Sequence, residues 1–249
     1  ASYNQTVTIT VSPDEGYELA ALVVTDRNGS ALTITPQGDN RYTFKMPRSA
    51  VTVEASFQLL APWSSPYADV NTGDWFYGAV EYVVESGLMT GTSATTFEPD
   101  ATLTRAMMAT VLWAMEGGPV VNYAMAYTDV DSDDWFAEAV RWATSEGVVN
   151  GVGDNAYAPN DPLTREQMAV MLYAYAVYKG YDTTQGGMAI REYADYGQVS
   201  SYALEAMDWA NATGIVTGTS ESTLSPQGQA TRAQAAAMFT RFCEQYAEK

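Results

Sequence analysis

The first sixty residues alternate with a period of two. Val7, Ile9 and Val11 interleave with Thr6, Thr8 and Thr10, the pattern of a half-buried strand. Further strands are expected at Leu22–Thr25, Leu32–Thr35, Tyr42–Met46 and Val51–Phe57. Asp26-Arg27-Asn28-Gly29 and Gly38-Asp39-Asn40 supply residues that accept positive φ in tight turns. Residues 1–60 therefore read as a small all-β unit. Ala61-Pro62-Trp63-Ser64-Ser65-Pro66, with two prolines in six residues, reads as a linker.

From Tyr67 onward the chain repeats itself. Asp69, Trp75, Gly87, Gly91, Phe97, Pro99, Thr104 and Arg105 recur 60 residues later as Asp129, Trp135, Gly147, Gly151, Tyr157, Pro159, Thr164 and Arg165. A third copy holds Asp195, Gly214, Gly218, Leu224, Pro226, Thr231 and Arg232. Its offset grows from 66 at the aspartate to 67 from Tyr202 onward, so one residue is inserted before the helix. Self-similarity at a fixed period defines a repeat architecture.

Each copy decodes alike. Asp74 and Asp134 are candidate N-caps for first helices over Trp75–Ser86 and Trp135–Glu146, with Gly87, Gly147 and Gly214 as stops. A second helix starts at Thr104, Thr164 or Thr231. Gln167 and Gln234, three places on, complete capping boxes that Met107 denies to copy one. The second helices carry apolar stripes at i, i+3, i+4 and i+7: Met108, Val111, Leu112, Met115; Met168, Met171, Leu172, Tyr175; Ala235, Met238, Phe239, Phe242. A helix pair cannot bury such a stripe alone, so the three copies should share one core, in a unit of six principal helices of which three supply that core.

An arginine follows the threonine in all three copies, although arginine in a first helical turn opposes the macrodipole by roughly 0.3–1 kcal/mol. Two readings fit. The arginine pairs with its own repeat's aspartate, or it joins free helix N–H groups in an anion site.

Composition narrows the chemistry. The 249 residues carry 30 acidic and 12 basic side chains, a net charge of −18, which argues against nucleic acid or an anionic membrane as partner. With 47% hydrophobic and 17% charged residues the chain should fold. The longest charge-free run, Ala55 to Ala68, is too short and polar for membrane insertion. There is no histidine, which removes the commonest general base and zinc ligand, and the single Cys243 permits no internal disulfide. Ala1-Ser2-Tyr3-Asn4 has neither a charged leader nor an apolar segment, so no signal peptide is expected in this stretch.

Asp69-Val70, Trp75, Gly87-Leu88-Met89-Thr90-Gly91, Phe97-Glu98-Pro99 and Leu103-Thr104-Arg105-Ala106 together resemble a surface-layer homology (SLH) repeat. Gly16-Tyr17, Tyr42-Thr43-Phe44-Lys45-Met46-Pro47 and Val51-Thr52-Val53 resemble β-repeat modules that act as spacers in bacterial surface proteins. The SLH resemblance implies a mostly α fold, in which three helical-pair repeats form a pseudo-threefold bundle behind the small N-terminal all-β domain. The expected division is 1–60, linker 61–66 and SLH module 67–249, with copies at about 67–126, 127–192 and 193–249. It also implies non-catalytic anchoring at the bacterial cell wall or S-layer. The partner would be an acidic, often pyruvylated, secondary cell-wall polysaccharide held in inter-repeat grooves, with no cofactor or metal. Carbohydrate-binding roles would fall on Arg105, Arg165 and Arg232, then on Asp69, Asp129, Asp195, Trp75 and Trp135. Copy three departs with Tyr202 in place of tryptophan; Met107, Gln167 and Gln234 stand where glutamate is common. The fragment is expected to be monomeric; the alternative is a structural module that binds protein or packs into a surface lattice without binding carbohydrate.

The remaining constellations add little. Asp129, Asp131 and Asp133 suggest a calcium loop, but Asp134 and Val140 replace the required glycine and glutamate. Trp142 and Trp209 read as core residues rather than sugar platforms, and Tyr173, Tyr175 and Tyr178 as helix packing. Cys243 reads as a small buried apolar residue. The sequons at Asn4, Asn28 and Asn211 carry no weight in a bacterial protein, and no acidic pair stands out for glycoside hydrolysis.

Overall fold

The computed structural model describes residues 1–14 and 16–246. The chain divides into two compact units, Ala1–Ser64 and Ser65–Lys249.

The first unit holds β1 (Thr6–Thr10), β2 (Tyr17–Asp26), β3 (Thr35–Gly38), β4 (Arg41–Lys45) and β5 (Val51–Leu59). They form two antiparallel sheets, ordered β1-β4-β3 and β2-β5. Val11, Val24 and Phe44 are its buried apolar residues. One expectation shifts: the strand read at Leu32–Thr35 begins only at Thr35, leaving Ala31 with an isolated bridge to Thr25. Pro36 explains where β3 can lie, since at the sheet's edge its missing N–H breaks no second ladder.

The second unit holds α1 (Tyr77–Glu85), α2 (Arg105–Met115), α3 (Ala137–Ser145), α4 (Arg165–Tyr178), α5 (Leu204–Ala212) and α6 (Arg232–Tyr246). Among the described residues no helix is long and apolar enough to cross a membrane. The first helices begin later than the sequence suggests. Phe76 and Phe136 are buried N-cap residues ahead of α1 and α3, and no side chain caps either helix. Asp74 and Asp134 instead turn back to accept the N–H of Asn71 at 2.7 Å and of Asp131 at 2.8 Å. They close the aspartate-rich turn, not the helix.

The second helices start as expected. Thr104, Thr164 and Thr231 accept the N–H groups of Met107, Gln167 and Gln234. Gln167 and Gln234 reach back to the threonine N–H at 2.9 and 3.4 Å. Gly87, Gly147 and Gly214 follow the first helices with φ of 71°, 71° and 77°, the left-handed step that ends a helix.

Packing crosses the copies. The second helix of each copy lies on the first helix of the next: α2 on α3, α4 on α5, and α6 back on α1. The stripes are buried as predicted, except Met115, which is half-buried. They meet Val80 and Val83 of α1, Val140 and Trp142 of α3, and Met207 and Trp209 of α5, all buried. Trp142 and Trp209 are therefore core residues. Tyr178 stands edge-on to Trp142 and Tyr173 to Trp209, and Cys243 is buried. A backbone ring ties the copies where the second helices begin. Leu163 N–H donates to Leu103 O (2.9 Å), Leu103 N–H to Ala230 O (2.9 Å), and Ala230 N–H to Leu163 O (2.8 Å).

Candidate functional site

Each motif arginine reaches into the next copy. Arg105 donates from Nε to Tyr157 O (2.7 Å) and from Nη2 to Asn150 O (2.7 Å). Arg165 bonds Leu224 O (2.9 Å) and Thr217 O (2.7 Å), and Arg232 bonds Phe97 O (2.8 Å) and Thr90 O (2.6 Å). The guanidinium carbons of Arg105 and Arg232 also sit 4.6 and 4.5 Å from the ring centres of Tyr157 and Phe97. Arg165 and Arg232 are only 5% and 6% exposed. Burial pulls both below the ordinary guanidinium pKa, and for Arg165 the neighbouring Arg241 adds to the effect.

The geometry corrects the Arg–Asp pairing and, of the anion-site reading, the free helix N–H groups. Among the described residues no ion pair joins a motif arginine to a carboxylate. The helix N–H groups are also committed: Arg105 N–H to Asp161 O, Ala106 N–H to Pro159 O and Met107 N–H to Thr104 Oγ1. The same donations recur at Arg165 and Glu166 and at Arg232 and Ala233. Spacing identified a special arginine but not its acceptors, which lie 45 to 142 residues away in sequence.

The aspartates brace the loops that the arginines grip. Asp69 accepts the N–H groups of Phe97 and Glu98 at 2.8 and 2.7 Å, and Asp129 those of Tyr157 and Ala158, both at 2.8 Å. Asp195 does the same for Leu224 and Ser225 at 2.8 Å. Glu98, Ala158 and Ser225 all adopt positive φ, of 56°, 56° and 51°, which costs a non-glycine residue of order 1–3 kcal/mol. The paired carboxylate bonds offset that strain. Burial raises each aspartate's pKa, but the two N–H donors outweigh it, aided by the arginine of the preceding copy in the ring, so all three lie below the ordinary value.

Sequence reasoning missed three contributors. Tyr67, Tyr127 and Tyr193 lie against Gly91, Gly151 and Gly218, where a Cβ would strike the ring and loop carbonyls. Their spacing of 60 and 66 would have exposed them. Arg241 and Glu166 are the other two. Each occurs in one copy only, so a search for repeats passes over both.

The copies meet at clefts. A cleft of about 370 Å³ at one end of the α1–α6 pair, the α1–α6 cleft, is lined by Trp75 just ahead of α1, Arg165 at the start of α4, the loop residues Thr217 and Gly218, and Gln234, Met238 and Arg241 of α6, with no carboxylate among its lining residues; Glu81, Glu85 and Glu244 line only the adjoining cleft. The α1–α6 cleft thus gathers side chains from all three copies. Trp75 is 67% exposed and edge-on to the buried Phe76 at 5.4 Å, and Trp135 repeats this at 65% exposure against Phe136. An adjoining cleft shares Trp75, Ala237 and Arg241 and continues along both helices past Glu81, Tyr82 and Glu244. Among the described residues no group of three or more His, Cys, Asp or Glu could hold a metal ion.

Comparison with known proteins agrees with this architecture. The S-layer homology domain family matches residues 66–109, 126–169 and 192–236, and the divergent InlB B-repeat domain family matches 1–60. The chain belongs to the S-layer homology family, with three SLH domains behind one B-repeat domain. It is 32% identical over 66% of its length to an amylopullulanase of Thermoanaerobacterium thermosulfurigenes. It is 29% identical over 69% to an endoglucanase of Bacillus sp. (strain KSM-635), and 29% over 67% to a surface-layer 125 kDa protein of Lysinibacillus sphaericus. The chain spans only 9%, 18% and 14% of these relatives. SLH domains are anchoring modules that bind secondary polymers of the cell wall in S-layer proteins, which places this chain at the cell surface, cell wall or S-layer.

Proposed function

We propose that the helical unit is a non-catalytic anchor that holds its parent protein to the wall by binding an acidic, pyruvylated secondary cell-wall polysaccharide. The binding sites are the clefts between copies of a pseudo-threefold bundle spanning 67–249, behind a spacer at 1–60 and a linker at 61–66. The carrying observation is the α1–α6 cleft, where an exposed indole, two guanidinium groups and no lining carboxylate meet. An indole face suits the apolar face of a sugar ring, and guanidinium suits a carboxylate. Arg165 lines this cleft, Arg105 and Arg232 hold the matching loops of the other copies, Asp69, Asp129 and Asp195 fix those loops, and Trp75 and Trp135 offer stacking faces. Calorimetry on purified wall polymer, before and after removal of its acidic substituent, tests this. Binding should require the substituent. Equal binding of both polymers, or binding of neither alongside self-association, would overturn it in favour of a protein–protein or lattice role.

A further inference from the structure

This inference rests on the anchoring function above. We propose that the α1–α6 cleft is the one acid-selective sugar site of the module, and that Arg241, outside the repeated motif, is the residue that selects the acid. Arg165 and Arg241 converge on one residue: Arg165 Nη2 donates to Thr217 O at 2.7 Å, and Arg241 Nη1 to Thr217 Oγ1 at 3.2 Å and Ile215 O at 3.4 Å. Two like charges meet here with no carboxylate lining the cleft, in a chain with 30 acids and 12 bases. A ligand carboxylate relieves that repulsion. Arg165 is buried against carbonyls, whereas Arg241 is half-exposed, so Arg241 is the group a ligand can reach.

The equivalent positions differ in the other clefts. Ala114 and Ala174 stand in place of Arg241, and Met107 replaces Gln234 on α2. On α4 a carboxylate is already present. Glu166, which is Ala106 and Ala233 in the other copies, accepts bonds from Ser200 N–H (3.0 Å), Ser200 hydroxyl (2.6 Å) and Tyr202 hydroxyl (3.1 Å). The ring at the tryptophan position is thus tied to a negative charge that repels an acidic sugar. The ligand class is a carboxylate-bearing sugar with one apolar ring face.

The test is calorimetry of the full chain with a methyl N-acetylhexosaminide 4,6-pyruvate ketal, its neutral methyl ester, and glycerol phosphate. One site per chain is expected, preferring the acid to the ester at least tenfold. Arg241→Ala and Arg241→Gln should each weaken the acid about tenfold, roughly 1.4 kcal/mol, and leave the ester unchanged. Arg241→Lys should fall between, because a point charge does not reproduce the planar fork. Equal losses for acid and ester would make Arg241 a brace for the Thr217 loop and overturn the assignment, as would two or three sites per chain. Glycerol phosphate binding as tightly as the ketal would overturn the carboxylate class. If wild type binds neither acid nor ester, the anchoring function fails with it, whereas wild-type binding unaffected by Arg241→Ala sinks this assignment alone.

Discussion

Arg232→Met tests whether the motif arginine is a clasp. The substitution keeps the buried aliphatic stem and removes the donors to Phe97 O and Thr90 O, the bonds that join copy three to copy one. The buried Phe97 carbonyl left without a partner costs roughly 1–3 kcal/mol, whereas Thr90 is exposed and water can take its carbonyl. Loss of the cation 4.5 Å from the Phe97 ring centre adds about 1 kcal/mol. Relief from burying a guanidinium offsets part of this, so a net loss of about 2 kcal/mol is expected. With a urea m-value of about 2–3 kcal/mol/M for a unit of this size, the midpoint should fall by roughly 0.7–1 M. Tryptophan fluorescence follows it well, since five of the six tryptophans lie in Ser65–Lys249. Arg165→Met should behave similarly, Arg105→Met less so because Arg105 is only half-buried, and Arg232→Lys should recover less than half. A midpoint for Arg232→Met within 0.2 M of wild type, about 0.5 kcal/mol, would refute the clasp.

Gly218→Ala should lower the thermal midpoint by about 5 °C, because its Cβ would overlap the Ser220 and Thr223 carbonyls and the Tyr193 ring, an overpacking cost of about 1–3 kcal/mol; Gly186→Ala, with open space around it, is the control, and equal midpoints would refute the steric argument. The pKa values of Asp69, Asp129 and Asp195 are depressed in the fold, so their stabilisation is complete above the unfolded value near 3.9 and is lost as pH falls through the folded values. Urea midpoints taken from pH 6 down to pH 2.5 should drop below about pH 4, and a flat profile would show that the loop carboxylates contribute nothing. Deleting residues 1–60 should leave polymer affinity within about twofold, since every residue lining the cleft belongs to the helical unit; a tenfold loss by calorimetry would mean that the β unit touches ligand.

Local order was legible because it is written locally. Thr164 and Gln167 form the capping box that their spacing announced, and Gly147 ends α3 in the expected left-handed step. The stripe on α4 is buried from Met168 to Tyr175. Periodicity marks a buried face but not its partner, so nothing in the sequence assigned α2 to α3 rather than to α1. The arginines show the same limit. Arg105 was conspicuous by type and place, yet its acceptors are backbone carbonyls, which every residue carries and no motif displays. Asp74 misled for a further reason: the aspartate suits a helix cap, but the helix starts at Tyr77, past the buried Phe76, and Asp74 turns back on Asn71.

The copy seen in sequence and the unit seen in space are offset by half a repeat. Residues 67–126 contribute α1 to one helix pair and α2 to another, and α1 is completed by α6, the last helix in the chain. The α1–α6 cleft is built from three copies, as Trp75, Arg165 and Gln234 show. A substitution in one copy therefore changes one cleft and leaves the shared core intact. That is how Glu166 ties Tyr202 beside α4 while the stripe of α4 stays as buried as its counterparts. The α1–α6 cleft exists only once the first and last helices meet, a closure secured by the Leu103–Ala230 backbone bond and by Arg232 gripping the copy-one loop. A ligand held there binds only the closed ring, so it stabilises the whole helical unit by RT ln(1 + [L]/Kd). In this arrangement wall attachment and resistance to unfolding rise together.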